Sequence, residues 1–295
     1  MSSIAPSLAR STTAGRDPTP GSSPGAGSFP AGGEAKGAGV PLVTLTGISK
    51  QFDNGVTALS RLDLRVRSGE FLSLLGPSGC GKSTALRLIA GLEEPTSGRI
   101  EWAKGAKGAQ GRPSIGFVFQ DPTLMPWASV ESNVFLPLRL QGSSFRDATS
   151  RVGEALALVG LADFKAAMPR ELSGGMRMRV SIARALVTRP SLLLMDEPCA
   201  ALDEITRFKL NDDLMRLQQE MGCTVVFVTH SIYESAYLST RIAVMAARPG
   251  RVIAEIGIDK ALPRQEHFRR EPAYLEACGK ASDALHGAMD PKDHM

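Results

Sequence analysis

The sequence has no apolar run long enough to cross a bilayer. A membrane-spanning helix needs about 18–20 mostly apolar residues in succession, and no stretch of this 295-residue chain approaches that length. The first residues also lack the compact apolar core of a secretory signal. We therefore expect a chain that does not cross a membrane by itself.

Paired cysteines and blocks of one charge sign are missing as well. The four cysteines lie far apart and form no CxxC pair, which gives no indication of a zinc knuckle or a disulfide framework. We expect reduced thiols in a cytosolic protein. The net charge is +4, and basic residues alternate with acidic ones. Nucleic-acid binders usually concentrate basic side chains on one face or tail, so we expect no nucleic-acid partner.

Composition divides the chain into three segments. Glycine, proline, serine and alanine supply 27 of residues 1–40, and such a segment buries too little apolar surface to offset the entropy of ordering. We predict a disordered tail there. Residues 41–260 have the composition of a folded domain, and residues 261–295 are predicted to be a polar, weakly helical extension.

Hydrophobic patterning within residues 41–260 predicts an α/β fold. Segments 42–52 and 62–67 alternate apolar and polar residues, as half-buried antiparallel strands do. Residues 129–190 are mostly helical in pattern and are predicted to form a helical subdomain. Helical patterns between buried strands indicate a mostly parallel sheet covered by helices. The predicted buried strands are FLSLLG (71–76), IGFVFQ (115–120), LLLMD (192–196) and TVVFVTH (224–230), followed by two terminal strands in IAVMAARPGRVIAEI (242–256).

The segment GPSGCGKST fits the phosphate-loop pattern G-x-x-x-x-G-K-[ST], with a buried strand before it and a helix after it. Glycines let backbone N–H groups turn towards phosphate oxygens, and the helix N-terminus adds positive potential. We expect Lys82 to reach the β- and γ-phosphates of ATP and Ser83 to hold Mg²⁺. A simple helix-capping turn would not explain a lysine followed by two hydroxyls. The candidate nucleotide contacts are Gly76, Pro77, Ser78, Gly79, Cys80, Gly81, Lys82, Ser83 and Thr84.

A second pattern is the strand LLLMD, which delivers Asp196 and Glu197 at its carboxyl end. Ligands gather at that end of strands in open α/β sheets. Asp196 is suited to support Mg²⁺, and Glu197 is suited to polarise an attacking water as a general base. An apolar strand ending in Asp-Glu is often only structural, but the preceding phosphate loop favours the catalytic interpretation.

Three further residues have two interpretations each. Gln120 is a surface residue or a sensor of the γ-phosphate or Mg²⁺. His230 is structural or catalytic, and Phe52 packs in the core or stacks on adenine. Position favours a role in the site for two of them, because Gln120 and His230 are predicted at the same sheet end as Lys82 and Glu197.

The segment LSGGMRMRV (172–180) carries no acid, histidine or cysteine. Ser173 is predicted to be a helix N-cap, and Gly174 and Gly175 leave the first helical N–H groups unobstructed. On sequence alone this pattern predicts only a good helix start, which is a common feature. An apolar stripe is expected to anchor the helix, formed by Val180, Ala183 and Val187.

In this order, the motifs resemble the ATP-binding subunit of ABC transporters across residues 42–256. The resemblance implies a P-loop NTPase core with a mostly parallel sheet, an N-terminal antiparallel β subdomain and an inserted helical subdomain. It also implies that the LSGG residues contact the γ-phosphate held by another subunit, a second copy or a similar ATPase. The implied roles are adenine stacking for Phe52, the Q-loop for Gln120, catalysis for Glu197, the γ-phosphate switch for His230 and the D-loop for Asp203.

Two residues depart from that family pattern. Met176 stands where the LSGG motif usually ends in glutamine, and Ala200 stands where the D-loop usually has serine or glycine. Neither change removes a phosphate, metal or water-activating group. We therefore expect ATP hydrolysis to be retained.

The segment QDPTLMPWASVESNV (120–134), with LSGGMR and RPGRV (248–252), is similar to the subgroup serving importers of nitrate, taurine and aliphatic sulfonates. The apolar cluster Leu124–Trp127 is either core or a docking surface for membrane permease subunits. The resemblance implies a peripheral ATPase on the cytoplasmic face of the inner membrane, acting indirectly with an extracytoplasmic solute-binding protein. An ABC exporter or lipid-handling ATPase, or a soluble ABC-type ATPase acting on DNA or ribosomes, is the alternative.

Overall fold

A computed structural model describes residues 39–103, 113–247, 249–259 and 262–288. The predicted disordered tail lies outside these ranges up to residue 38, and so does Arg248 of the RPGRV segment. The strands are β1 (Pro41–Gln51), β2 (Thr57–Arg67), β3 (Phe71–Leu75), β4 (Ser97–Trp102), β5 (Ile115–Val118), β6 (Leu192–Asp196), β7 (Thr224–Thr229), β8 (Arg241–Ala246) and β9 (Arg251–Gly257). The α-helices are α1 (Lys82–Ala90), α2 (Val130–Leu140), α3 (Phe145–Leu158), α4 (Gly174–Leu186), α5 (Glu204–Met221), α6 (Ile232–Leu238) and α7 (Pro272–Ala288).

Strands β1, β2 and β4 form an antiparallel sheet in the order β2-β1-β4. The alternation predicted in β1 and β2 is confirmed, since Val43 and Leu45 are buried while Thr44 between them is half-buried. No strand was predicted at β4. Its residues SGRIEW are exposed or half-buried at every position. Only Ile100 and Trp102 pack against the smaller core, and two alternating residues are too short a pattern to indicate a strand.

The second sheet has six strands in the order β5-β6-β7-β3-β8-β9. The first five are parallel, and β9 pairs antiparallel with β8. Both faces of this sheet are covered. Phe71 and Leu75 of β3 belong to the core shared with the helices from α2 to α7, whereas Leu72 and Leu74 pack in the core shared with α1, β1 and β2. Two buried faces explain why the parallel strands appear in the sequence as continuous apolar runs.

Sheet order determines where the polar loops meet. Strand β7 lies between β3 and β6, and all three run in the same direction. The loops that follow them therefore leave the sheet side by side at one edge. The phosphate-loop residues follow β3, and His230 follows β7. Asp196 is the last residue of β6, and Glu197 follows it.

The region 129–190 contains α2, α3 and α4, which pack on one another. Ser173 caps α4, as the sequence predicted. The predicted anchoring stripe of α4 is confirmed, because Val180, Ala183 and Val187 are all buried. None of the helices in the described ranges combines the length and apolar character that a bilayer span requires.

The segment after residue 260 differs from the polar extension predicted for it. Helix α7 packs on α6, β8 and β9, and three of its residues, Tyr274, Ala277 and Ala281, are buried in the core. Their spacing of three and four positions is that of one helix face. The sequence signal was weak because two of the three side chains are alanine. Residues 289–295 lie outside the described ranges.

Candidate functional site

The phosphate loop connects β3 to α1, and its backbone requires glycine at specific positions. Gly79 and Gly81 have φ values of 76° and 89°, in the left-handed region that favours glycine. At Gly81 a Cβ would lie 2.6 Å from Leu59 Cδ2 and 2.8 Å from the Ala58 carbonyl oxygen. A side chain there would push the loop away from β2. Glycine therefore keeps the loop closed against the antiparallel sheet.

Lys82, the first residue of α1, is held inside this loop. Its Nζ donates hydrogen bonds to the carbonyl oxygens of Gly76, at 2.8 Å, and Pro77, at 3.0 Å. The residue is only 4% exposed. Its nearest anionic partner in the described chain is Glu197, whose Oε1 lies 3.7 Å from Nζ. The loop thus presents one buried cation, and backbone oxygens hold it in place.

Asp196 ends β6 and faces the next residue of the loop. The Ser83 hydroxyl donates a 2.8 Å hydrogen bond to Asp196 Oδ1. Burial raises the pKa of the Asp196 carboxyl, and the hydrogen bond from Ser83 opposes that shift. Two oxygen groups that could coordinate a metal ion, a carboxylate and a hydroxyl, therefore lie beside the phosphate loop.

Glu197 lies between the lysine and the histidine predicted for the site. Its φ of 45° is uncommon for a residue with a Cβ, and such strain is concentrated at functional sites. Its backbone N–H donates to the Val228 carbonyl oxygen at 3.1 Å, which fixes the turn against β7. The carboxylate then approaches Lys82 with one oxygen, and its Oε2 lies 3.1 Å from His230 Nδ1.

The structure therefore brings together five of the predicted residues: Lys82, Ser83, Asp196, Glu197 and His230. They come from three adjacent strand ends of the parallel sheet. A buried cation, two metal-suited oxygens, a strained carboxylate and a histidine can bind a phosphate and activate a water next to it.

Gln120 and Phe52 remain apart from this cluster. Gln120 lies exposed two residues beyond the end of β5, and no hydrogen bond to the cluster is found within the described residues. Phe52 follows β1 and is half-buried, with the Lys50 Nζ 5.3 Å from its ring centroid. Among the described residues, the members of the two apolar cores do not include Phe52. Of the two interpretations of Phe52, core packing is therefore disfavoured.

The LSGG residues lie at the start of α4, where Ser173 and Gly174 are exposed. The Ser173 hydroxyl accepts a hydrogen bond from the Met176 backbone N–H at 3.2 Å. Gly174 is exposed, but Gly175 is buried, and a Cβ on Gly175 would lie 2.6 Å from Thr206 Cγ2 of α5. Close packing of α4 on α5 is thus a reason for the second glycine that the sequence did not reveal. The Met176 side chain packs against the larger of the two cores, the one shared with the helices from α2 to α7.

Asp203 occupies the turn between β6 and α5. It is the N-cap of α5, and its Oδ1 accepts from the Thr206 backbone N–H at 3.0 Å. That hydrogen bond is the main cause that lowers the pKa of the Asp203 carboxyl. Asp203 is exposed and Ala200 is half-buried in the same turn. Gly175 at the start of α4 packs closely against Thr206 in the first turn of α5, so the start of α4 lies near this turn.

One supporting residue of the phosphate loop escaped the sequence analysis. Gly250 donates its N–H to the Ala58 carbonyl oxygen and accepts from the Ser60 N–H, both at 3.0 Å. A Cβ at Gly250 would lie 2.1 Å from the Cys80 carbonyl oxygen. The loop therefore rests on the turn that precedes β9. The available signal was the glycine of RPGRV, which the sequence indicated as part of a turn between the terminal strands and as a subgroup feature, but not as a support for the phosphate loop.

The apolar cluster Leu124–Trp127 is partly core and partly surface. Leu124 packs on the larger core, whereas Trp127 is 77% exposed. The buried Asn133 holds the segment by accepting from the Met125 N–H at 2.7 Å and donating to the Met125 carbonyl oxygen at 3.2 Å. A second support comes from Arg184 of α4, which donates to the carbonyl oxygens of Pro122 and Thr123, each at 2.8 Å. The segment presents its tryptophan from a fixed backbone.

Comparisons of sequence and of structure with known proteins all find ATP-binding proteins of one family. Residues 59–200 match the family described as ABC transporter. The chain is 42% identical to an aliphatic sulfonates import ATP-binding protein of Pseudomonas savastanoi pv. phaseolicola, over 79% of this chain and 92% of that protein. It is 40% identical to a nitrate import ATP-binding protein of Synechocystis, over 79% and 89%. A solved dimeric ATP-binding cassette, in a post-hydrolysis state bound to ADP and Pi, superposes with a TM-score of 0.65 at 35% identity, covering 75% of this chain and 100% of that chain.

Proposed function

Since the chain belongs to the ABC transporter family of ATP-binding proteins, we propose that it is the ATP-hydrolysing subunit of an importer for a small solute. The observation that carries this proposal is that the Glu197 carboxylate lies within 4 Å of both Lys82 Nζ and His230 Nδ1 at one sheet edge. A chain that merely bound nucleotide would not need a strained carboxylate next to the lysine.

We assign the hydrolytic roles from this geometry. The loop N–H groups and Lys82 bind the phosphates, and Phe52 stacks on adenine from the end of β1. Glu197 accepts the proton of the water that attacks the γ-phosphate. His230 holds the Glu197 carboxylate through its Nδ1 and contacts the γ-phosphate from the other side. Hydrolysis breaks the bond between the γ-phosphorus and the bridging oxygen, and ADP and phosphate leave.

The Ser83 and Asp196 pair fits a divalent cation. Hydroxyl and carboxylate oxygens are the donors that Mg²⁺ prefers, and these two lie in hydrogen-bond contact beside the loop. Gln120 is the third donor we propose, from the adjacent strand end. When bound, Mg²⁺ neutralises charge that develops on the phosphate oxygens. The protein residues orient the phosphate chain and keep the acid–base pair next to it.

We further propose that two copies of the chain, or the chain and a similar subunit, act as a dimer. The start of α4 is exposed, and helix N-termini attract anions. Ser173, Gly174 and Gly175 would contact the γ-phosphate bound by the partner, and Asp203 would lie at the same interface. The dimeric cassette of similar fold supports this arrangement.

The fixed segment with Trp127 is the proposed dock for the membrane permease subunits. An exposed tryptophan on a rigid backbone is a favourable anchor at a protein interface. Docking there places the chain on the cytoplasmic face of the inner membrane as a peripheral subunit. The similarity to sulfonate and nitrate import proteins favours nitrate, taurine or an aliphatic sulfonate as the solute, delivered by an extracytoplasmic binding protein.

Co-purification from native membranes tests this function. We expect a polytopic membrane partner and a solute-binding protein, and ATPase activity in the assembled complex that rises with nitrate, taurine or an alkanesulfonate. Recovery with nucleic acid and without any membrane protein would contradict the importer assignment. Stimulation by a lipid or an exported compound would favour an export ATPase instead.

A further inference from the structure

A small cavity lies directly behind the Glu197 and His230 pair. Arg207, from the first turn of α5, and Glu234, from α6, also line it. It also touches the turn before α5, which we call the D-loop segment (residues 199–203). The cavity is lined by Glu197, Cys199, Ala200, Arg207, Thr229, His230, Ser231 and Glu234. The proposed roles of the site leave Arg207 and Glu234 without a task.

These two charged groups face each other without a hydrogen bond. Arg207 Nε lies 3.5 Å from Glu234 Oε1. Both atoms are shielded from solvent, and within the described residues neither has a hydrogen-bond partner. A charge-assisted N–H···O bond is normally about 2.7–2.9 Å long. The pair is therefore open by about 0.6–0.8 Å relative to such a bond, and a small shift of α5 towards α6 would close it.

The remaining atoms of the pair connect it to two functional segments. Arg207 Nη2 donates to the Leu202 carbonyl oxygen at 3.0 Å, inside the D-loop segment. Glu234 Oε2 accepts from the Thr229 hydroxyl. That hydroxyl also accepts from the Ser231 N–H at 3.0 Å. Thr229 and Ser231 flank His230 in the chain. A path interrupted at the open Arg207–Glu234 pair thus runs from the D-loop segment to the backbone on both sides of the histidine.

We propose that Arg207 and Glu234 are positioning residues that close their ion pair when a second subunit presses on the D-loop segment. Closure draws Thr229 and Ser231 towards α5 and fixes His230 against Glu197. Hydrolysis thereby depends on contact between subunits. The inference rests on the proposed function, because it requires a dimer that hydrolyses ATP.

A purely structural pair would give different kinetics. Buried ion pairs often contribute little to stability, so the existence of this pair does not by itself indicate its role. A structural defect lowers the amount of folded protein and leaves the kinetics of the folded fraction unchanged. A positioning defect lowers kcat, while KM for ATP stays near its wild-type value, because the phosphate loop is untouched.

The test uses the full-length chain and steady-state ATPase assays with MgATP. Glu234→Gln and Arg207→Lys are each expected to lower kcat about tenfold, the effect of a modest displacement of a catalytic group. Thr229→Val removes the connecting hydroxyl and is expected to behave alike, whereas Thr229→Ser retains it and restores most of the rate. Arg216→Gln is the matched control, since Arg216 lies on the same helix in a surface ion pair with Asp213.

The double variant Arg207→Lys/Glu234→Gln separates the pair from two independent effects. Residues that act through one contact are not additive, so the double variant should be no slower than the slower single variant. Unchanged kcat in both single variants, or fully additive losses, would overturn the inference. Loss confined to KM or to folded yield, measured by thermal unfolding, would overturn it too. A wild-type chain without ATPase activity would instead contradict the proposed function and, with it, this inference.

Discussion

The Ser83 hydroxyl and the Asp196 carboxylate form a 2.8 Å hydrogen bond across 113 positions of sequence. The contact exists because β3 and β6 are separated only by β7 in the parallel sheet. It joins the phosphate loop to the strand that carries the proposed base. The proposed metal position, the lysine and the proposed base are therefore set by one feature of the fold, the order of three strands.

Asp196→Asn tests the metal assignment. The amide oxygen can still accept from Ser83, so the fold should persist, but the negative charge that attracts Mg²⁺ is lost. We expect the Mg²⁺ concentration for half-maximal ATPase activity to rise roughly tenfold or more, and chelation by EDTA to abolish activity in the wild-type chain. Asp163→Asn, at an exposed position, is the control. An unchanged Mg²⁺ requirement in Asp196→Asn would contradict the assignment.

Gly250→Ala tests the support beneath the phosphate loop. The added methyl would lie 2.1 Å from the Cys80 carbonyl oxygen, a backbone atom that can yield only if the loop shifts. We expect a loss of about 1–3 kcal/mol in the free energy of unfolding, together with weaker ATP binding by titration.

Gly153→Ala is the matched control for that substitution. Gly153 lies in α3, and a Cβ there would meet nothing within 4 Å. Alanine is the better helix former, so this variant should gain about 0.5–1 kcal/mol and bind ATP normally. Equal behaviour of the two variants would show that Gly250 does not support the loop.

Trp127→Ala tests the docking surface. The side chain is 77% exposed, so its loss should cost little stability. In membranes containing the permease subunits, we expect transport or membrane association to fall more than basal ATP hydrolysis does. Leu275→Ala, a change at another exposed apolar residue, should leave transport intact. A normal transport rate in Trp127→Ala would count against the dock.

Much of the fold was predictable because its elements carry strong local signals. The parallel strands are buried on both faces and appear as apolar runs, and the phosphate loop has a specific spacing. Strand β4 was missed because only Ile100 and Trp102 alternate as apolar residues in it, and its place in the sheet depends on pairing with β1. Helix α7 was underestimated because alanine supplies most of its buried face.

The candidate site shows the same division. Lys82, Ser83, Asp196 and Glu197 were predictable because each follows a recognisable strand or loop motif. The support from Gly250, the contact of Gly175 with Thr206, and the open pair of Arg207 with Glu234 depend on distances between segments far apart in sequence. No local pattern records such distances. The strain at Glu197 is also invisible in the sequence, because it arises from the turn between β6 and α5.

The central claim is that Glu197 is the base of an ATP-hydrolysing dimer. In Glu197→Gln the amide retains the size of the side chain but cannot accept the proton, while the phosphate contacts remain. The most direct measurement combines ATPase assays with size-exclusion chromatography in the presence of MgATP. We predict a rate at least about a hundredfold below wild type and a stable dimer that retains ATP. Hydrolysis at the wild-type rate, or a monomer with bound ATP, would contradict the account.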